Sequence, residues 1–245
     1  MAVGLVNVQR PATMQTPQTQ QQPPWPRPRG LLLDAMGTLI DLRDSVGSGY
    51  AAVAERHGLR VEADAIDAVF PAIYRQAPPL AFGQLDEAVL LDAERNWWGE
   101  RIKETFAAIG APAAEPDLQR DLFDHFADPG QWRVYADVEA QLIRWREAGL
   151  RLAVVSNFDR RLHGLLEGLG LSPLLDAVVV SSSAGAAKPD PRPFAIALEA
   201  LELGPEEVWH VGDSPEDLEG ARAAGLPCLL LERRSTTNSR SAMST

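Results

Sequence analysis

Residues 31–39 read Leu31-Leu32-Leu33-Asp34-Ala35-Met36-Gly37-Thr38-Leu39. A short apolar run ends in an aspartate, and a glycine-threonine turn follows at once. In an open parallel α/β sheet, ligands bind in the crevice outside the carboxyl ends of the strands. A buried strand that ends in Asp therefore places a carboxylate in that crevice. Taken alone, the stretch also fits a strand followed by an ordinary Asp/Gly turn. The rest of the chain decides between the two.

Beyond this stretch, residues 45–130 are helical in pattern. Tyr50, Val53 and Ala54 repeat at helix spacing before Gly58, and further runs cover about Ala63–Arg75, Leu85–Ile109 and Pro116–Phe126. After Asp128-Pro129-Gly130 the rhythm changes. Leu152–Val155, Val178–Val180, Val208–Val211 and Cys228–Leu231 read as buried strands. Helices at about Asp137–Glu147, Asp159–Leu169, Pro193–Leu201 and Pro215–Ala224 alternate with them, with Asp137 and Asp159 expected as N-caps. Such alternation implies a doubly wound parallel sheet of the Rossmann-like α/β class. The opening strand belongs to it, so the α/β domain is discontinuous: residues 30–44 and 131–232, with the helical module 45–130 inserted after the first strand.

Composition narrows the function. The 245 residues are 45% hydrophobic, enough for a real core, and no apolar run approaches the length of a membrane span. The net charge is -11, which argues against nucleic acid as a partner. Residues 1–29 and 233–245 contain six Arg and no acid, and read as disordered tails. The first has no charged-then-apolar leader pattern; a transit role fits its Arg content but not its lack of serine. Without the tails, 34 acids face 17 bases, so a bound phosphate needs a cation or a local positive site. The single Cys228 reads as a core thiol, and a reducing, cytoplasmic setting is expected.

Four strand ends carry polar residues. The first gives Asp34 with Gly37-Thr38, and the second Ser156-Asn157. The loop after the third gives Lys188-Pro189, and the fourth Gly212-Asp213-Ser214 with Asp217 one turn on. Separately these are helix caps, a loop lysine and a turn. Together they converge on one groove, and Lys188 is one of only two lysines in the chain. The chemistry they support is phosphoryl transfer through a covalent aspartyl-phosphate. Asp34 and Asp213 suit Mg²⁺, and Lys188, Ser156 and backbone amides suit the phosphate oxygens.

These four motifs resemble those of the haloacid dehalogenase-like (HAD) superfamily, and the inserted helices resemble the α-helical cap of its subfamily IA. The resemblance covers about residues 30–232. The segments Asp-Ala-x-Gly-Thr-Leu, Ser-Asn-Phe-Asp and His-Val-Gly-Asp-Ser are similar to its rhythmically-expressed-gene-like branch. The resemblance implies Asp34 as nucleophile and Lys188 as its catalytic lysine. It implies Mg²⁺ on Asp34, Asp213 and the backbone carbonyl of Met36. It also implies Ser156 and Asn157 at the phosphate, Thr38 steadying the nucleophile loop, and Asp217 supporting the metal and the lysine. The expected partner is a small phosphorylated metabolite, with no nucleic acid or membrane, in a monomer or homodimer.

Most phosphatases of this superfamily carry a second Asp two residues after the nucleophile, and here that position is Met36. Methionine has no proton to give, and losing a positioned acid/base typically costs about 10²–10⁴-fold. Three readings follow: a phosphatase restricted to good leaving groups or taking its acid elsewhere, a metal-free 2-haloacid dehalogenase, and a phosphate-binding pseudo-enzyme. The acid pair Asp213 and Asp217 fits a cation and weighs against the dehalogenase. A Schiff-base role for Lys103 conflicts with its helical neighbours Arg101 and Glu104, which suggest a solvated face. At least one of Trp97 and Trp98 is expected in the core or between cap and core. His210 is expected as a packed core histidine.

Overall fold

Leu31, Leu32 and Leu33 are almost wholly buried, and the sheet is laid down on either side of them. The computed structural model describes residues 26–233; the expectations for residues 1–25 and 234–245 fall outside them. In chain order the elements begin with β1 (Gly30–Leu33) and β2 (Ile40–Leu42). Four helices follow: α1 (Val46–Arg56), α2 (Ala63–Gln76), α3 (Glu87–Ala108) and α4 (Pro116–His125). Next come β3 (Trp132–Val134), α5 (Val138–Glu147), β4 (Arg151–Ser156), α6 (Arg161–Gly168), β5 (Ala177–Val180) and the short α7 (Ser181–Ala184). The chain ends with α8 (Arg192–Leu201), β6 (Val208–Gly212), α9 (Pro215–Ala223) and β7 (Cys228–Leu230).

Five strands form one parallel sheet in the order β5-β4-β1-β6-β7. Successive side chains of a strand face opposite ways, so β1 feeds two cores. Leu31 and Leu33 join Leu152 and Val154 against Leu142 of α5 and Leu162 and Leu165 of α6. Leu32 joins Ala153 and Val155 against Phe194, Ala197 and Leu201 of α8 and Ala221 of α9. Helices thus cover both faces, which is the doubly wound α/β architecture expected. With β1 in the middle, Asp34 emerges between the ends of β4 and β6.

The first four helices make a third core around Tyr50, Val53, Ile66, Ile102, Phe106 and Leu122. Ser45 caps α1 by accepting the N–H of Ser48. Buried polar contacts fasten this bundle to the sheet domain. Glu94 of α3 accepts from Ser182 Oγ at 2.7 Å and from the Arg160 backbone at 3.1 Å. Ser181 Oγ donates to the Leu80 carbonyl at 2.7 Å.

Several features differ from the expectations. β2 and β3 form an antiparallel ribbon where the chain enters and leaves the helices, reinforced by an Asp41–Arg133 pair at 2.7 Å. Three-residue strands carry too little alternation to be read. Asp137 does precede α5, but it makes no side-chain cap; its carboxylate pairs with Arg233 instead. Asp159 sits one residue before the N-cap of α6 and accepts the Arg161 N–H. Cys228 is half-buried beside the second core, and burial pushes its thiol up to about 11, so it is no nucleophile near neutral pH. Lys103 pairs with Glu100 on an exposed helix face, as expected.

Because Leu32 is fully buried on the central strand, Leu32→Ala leaves a cavity that both sheet neighbours must tolerate. Chemical denaturation should show a loss of about 2–5 kcal/mol.

Candidate active site

The four strand ends meet. Lys188 Nζ lies 2.6 Å from Asp34 Oδ1, 2.6 Å from Asp217 Oδ1 and 3.1 Å from the Val155 carbonyl oxygen. The lysine is only 5% exposed, so its charge depends on those two carboxylates. Ser156, ending β4, donates to Asp34 Oδ1 at 3.3 Å. Thr38 is buried and donates to Asp213 Oδ1 at 3.3 Å, which ties the turn after Asp34 to the end of β6. Asn157 lines the cavity over these residues and also holds the lysine's backbone. Its amide accepts the Lys188 N–H at 2.7 Å and donates to the Lys188 carbonyl at 2.9 Å. It therefore fixes the lysine's loop.

Asp217 is saturated with donors. Its Oδ1 takes Lys188 and lies 2.8 Å from His210 Nε2; its Oδ2 accepts the Asp213 and Ser214 N–H groups and the Ser214 hydroxyl. His210 is a packed core residue, as expected, but it also bridges Asp217 to the Leu32 carbonyl at 2.9 Å. That second contact was not expected, although a histidine three residues before Asp213 in a central strand was a usable signal.

The charges follow from burial and pairing. Burial raises the Asp34 carboxyl, against the pull of the Lys188 ammonium. Burial alone would lower Lys188, but Asp34 and Asp217 outweigh it and hold the ammonium above its ordinary range. Burial likewise opposes ionisation of Asp217, but the His210 hydrogen bond and Lys188 hold it below the usual carboxylate range. Asp213 is pushed up to about 6 by burial and by the neighbouring charges of Asp34 and Asp217.

One oxygen from each of Asp34, Asp213 and Asp217 lies within 4.8 Å of the others. With Asp217 occupied, Asp34 and Asp213 are the carboxylates left to face a cation. Oxygen donors of this kind suit Mg²⁺. Gly37 shows how tightly the cradle is drawn. Its φ is +84°, and a Cβ there would stand 2.2 Å from Asp213 Oδ2. Met36, whose backbone carbonyl was expected to complete the set, lies in the same turn.

A cavity of about 560 Å³ opens over these residues, between the sheet and the helices. Asp34, Ser156, Lys188 and Asp213 form one end of its lining, and Met36 lines it too. Nine lining residues are aromatic, including Tyr50, Phe70 and Tyr74 of the first two helices and Phe158 beyond β4. Both tryptophans of α3 reach it. Trp97 donates to the Pro78 carbonyl at 2.9 Å, and Trp98 to Asp159 at 2.7 Å. Trp98 thus joins the helical bundle to the sheet domain, as expected for one of the pair. Arg161 also lines the cavity and was not anticipated. It grips Asp159 with two nitrogens, donates to the Phe123 carbonyl and lies 3.9 Å from the Phe123 ring centroid.

A family model for haloacid dehalogenase-like hydrolases matches residues 28–225. The chain is 41% identical over 207 residues to haloacid dehalogenase-like hydrolase domain-containing protein 3 of Bos taurus, covering 83% of this chain and 81% of that one. It is 35% identical over 147 residues to a phosphoserine phosphatase of Thermus thermophilus, covering 58% and 59%. Among solved structures, a HAD hydrolase of Bacillus subtilis bound to magnesium superposes with a TM-score of 0.66. That match covers 88% of this chain and 91% of the other at 19% identity.

The raised Asp213 gives a signed pH dependence. In the fold its carboxyl is pushed up to about 6, above the ordinary Asp value of about 3.9, so its ionisation costs stability. That cost is absent below the ordinary value, grows as pH rises between the two, and is complete above about 6. In the presence of EDTA, Asp213→Asn should raise the melting temperature at pH 7.5, and the gain should vanish as pH falls towards 4.

Proposed function

The chain belongs to the haloacid dehalogenase-like hydrolase family, and we propose that it is a Mg²⁺-dependent phosphatase acting on a small phosphorylated metabolite through an aspartyl-phosphate at Asp34. The observation that carries this reading is the buried Lys188 bridge between Asp34 and Asp217, with Asp213 beside it. A dianionic phosphate cannot approach three carboxylates without cations close by.

The residues divide the work. Asp34 attacks phosphorus. Lys188 and Ser156 already meet its Oδ1, and they hold both the carboxylate and the incoming phosphate oxygens in place. Asn157 fixes the lysine loop, and Thr38 fixes Asp213. Asp34, Asp213 and the Met36 carbonyl would hold Mg²⁺, which when bound offsets the anionic charge and orients the phosphoryl oxygens. Water then attacks phosphorus and releases Asp34. The homologous phosphatase named above supports phosphoryl chemistry as the class of reaction. The partners proposed are small molecules, not nucleic acid or membrane; among the described residues no helix is long and apolar enough to cross a membrane.

A second reading is metal-free displacement of halide from a haloacid. The aromatic wall of the cavity favours it, and the acid pair Asp213 and Asp217 opposes it. Metal separates the two. Phosphate release from a panel of phosphoesters and acyl phosphates should need Mg²⁺, stop with EDTA and fall to background in Asp34→Asn. Halide release that survives EDTA would establish the second reading. Failure of every phosphate compound to exceed the Asp34→Asn control would establish a binding protein.

Met36 supplies a further test. Met36→Asp should raise turnover of alkyl phosphates by up to about 10²-fold, because it installs a proton donor at the leaving oxygen. Aryl and acyl phosphates should gain little. Equal gains on both would show that the missing acid does not limit the wild-type protein.

A further inference from the structure

Resting on the phosphatase reading, we infer that the substrate is an aryl phosphate: a phosphate monoester whose leaving group is a phenol, its ring held against Tyr74 and Trp98.

Two independent features of the cavity point to the same leaving group. The first is its wall. Phe70 and Tyr74 stack at 6.1 Å and 26°, and Tyr74 and Trp98 at 6.1 Å and 25°. Three rings therefore stack in a nearly parallel row, and all three line the cavity. Phe158 lines it from the sheet domain. Tyr74 is 38% exposed and a cavity-lining residue. Burial and the charges of Asp159 and Asp34 keep its phenol above the ordinary value. It stays a neutral hydroxyl, and among the described residues nothing hydrogen-bonds it. Such a surface gains most from a ring, through area and offset stacking.

Two of the three cations that line the cavity are already paired with carboxylates. Arg161 is held by Asp159 and the Phe123 carbonyl, and Lys188 by Asp34 and Asp217. Arg75 is exposed and bonds its own helix through the Pro71 carbonyl. A substrate with a second carboxylate or phosphate would bring that charge among aromatic rings where, among the described lining cations, only the exposed Arg75 lacks a carboxylate partner.

The second feature is Met36, which lines the cavity at 43% exposure. Met36 has no proton to give, and with Asp213 assigned to the cation the leaving oxygen would depart as an anion. A phenol ionises near 10, whereas water, and by extension an alcohol, ionises near 16. Departure without a proton is therefore feasible for a phenoxide and costly for an alkoxide. In the first step a bond forms between an Asp34 oxygen and phosphorus. The bond from phosphorus to the aryl oxygen breaks, its electron pair leaves with that oxygen, and the phenoxide takes a proton from water. In the second step water's oxygen bonds to phosphorus and the bond to Asp34 breaks. The carboxylate returns, and the water's proton passes to solvent with the phosphate product.

The test compares kcat/KM of the full chain with Mg²⁺ on phenyl phosphate, glycerol phosphate and glucose 6-phosphate. Phenyl phosphate is also intrinsically more reactive, so binding of the inert probes phenylphosphonate and methylphosphonate is measured alongside. Expected is a preference of at least roughly tenfold for the aryl compound in both turnover and binding. Tyr74→Ser should raise KM for phenyl phosphate by roughly three- to tenfold and leave inhibition by inorganic phosphate unchanged. Equal or better turnover of the sugar phosphate, still requiring Asp34, would overturn the substrate class and leave the phosphatase reading standing. Equal binding of the two phosphonates would also overturn it. No phosphate release from any compound would overturn both.

Discussion

A single buried ammonium holds the centre of this protein together. Lys188 is nearly sealed from solvent and lies 2.6 Å from two carboxylates that start on different elements. Burying three charges is costly, and each must be met with good geometry. Here that geometry is supplied by the sheet. Asp34 ends β1, the Val155 carbonyl and Ser156 end β4, and Asp217 opens α9 after β6. Asn157 then clamps the lysine's backbone on both sides. Removing the lysine would leave two buried acids facing each other, and removing either acid would leave a buried cation half-compensated. The strand order and the polar cluster thus constrain one another.

Asp213 stands outside this closed set of partners, and that separates it in function. Asp217 has all its acceptor positions filled, whereas Asp213 meets Thr38 and otherwise opens to the cavity. Burial, with the unrelieved charges of the other two acids, pushes its carboxyl up. A cation would offset those charges. The helical bundle completes the enclosure through Glu94, Leu80 and Trp98, whose contacts with the sheet domain hold an aromatic roof over Asp34. Polar fixation below and apolar enclosure above describe a site that can hold a phosphate at one end and an apolar group at the other.

Much of this was legible in the chain. The buried strands and their polar ends placed Asp34, Ser156, Lys188, Asp213 and Asp217 in one groove, because strand ends in a parallel sheet share one edge. The four inserted helices were legible from spacing and breakers. What escaped was whatever depends on contacts between distant segments. The β2–β3 ribbon has three-residue strands with no period to detect. Asp137 looked like a cap, but Arg233 lies nearly a hundred positions away and claims it. Asn157 read as a phosphate ligand, and its hold on the Lys188 backbone was not legible from the sequence. His210 read as packing, and its second nitrogen reaches Asp217. Arg161 and the aromatic row became visible only once α2 and α3 were folded over the sheet.

The most direct test of the covalent role proposed for Asp34 is to trap the phosphoryl group. The protein would be mixed with labelled phenyl phosphate and Mg²⁺, quenched in acid within one turnover, digested and sequenced by mass spectrometry. The phosphoryl group should be found on the peptide containing Asp34, absent with EDTA and absent in Asp34→Asn. Label on another residue, or rapid phosphate release with Asp34 never labelled, would contradict the central role given to this aspartate.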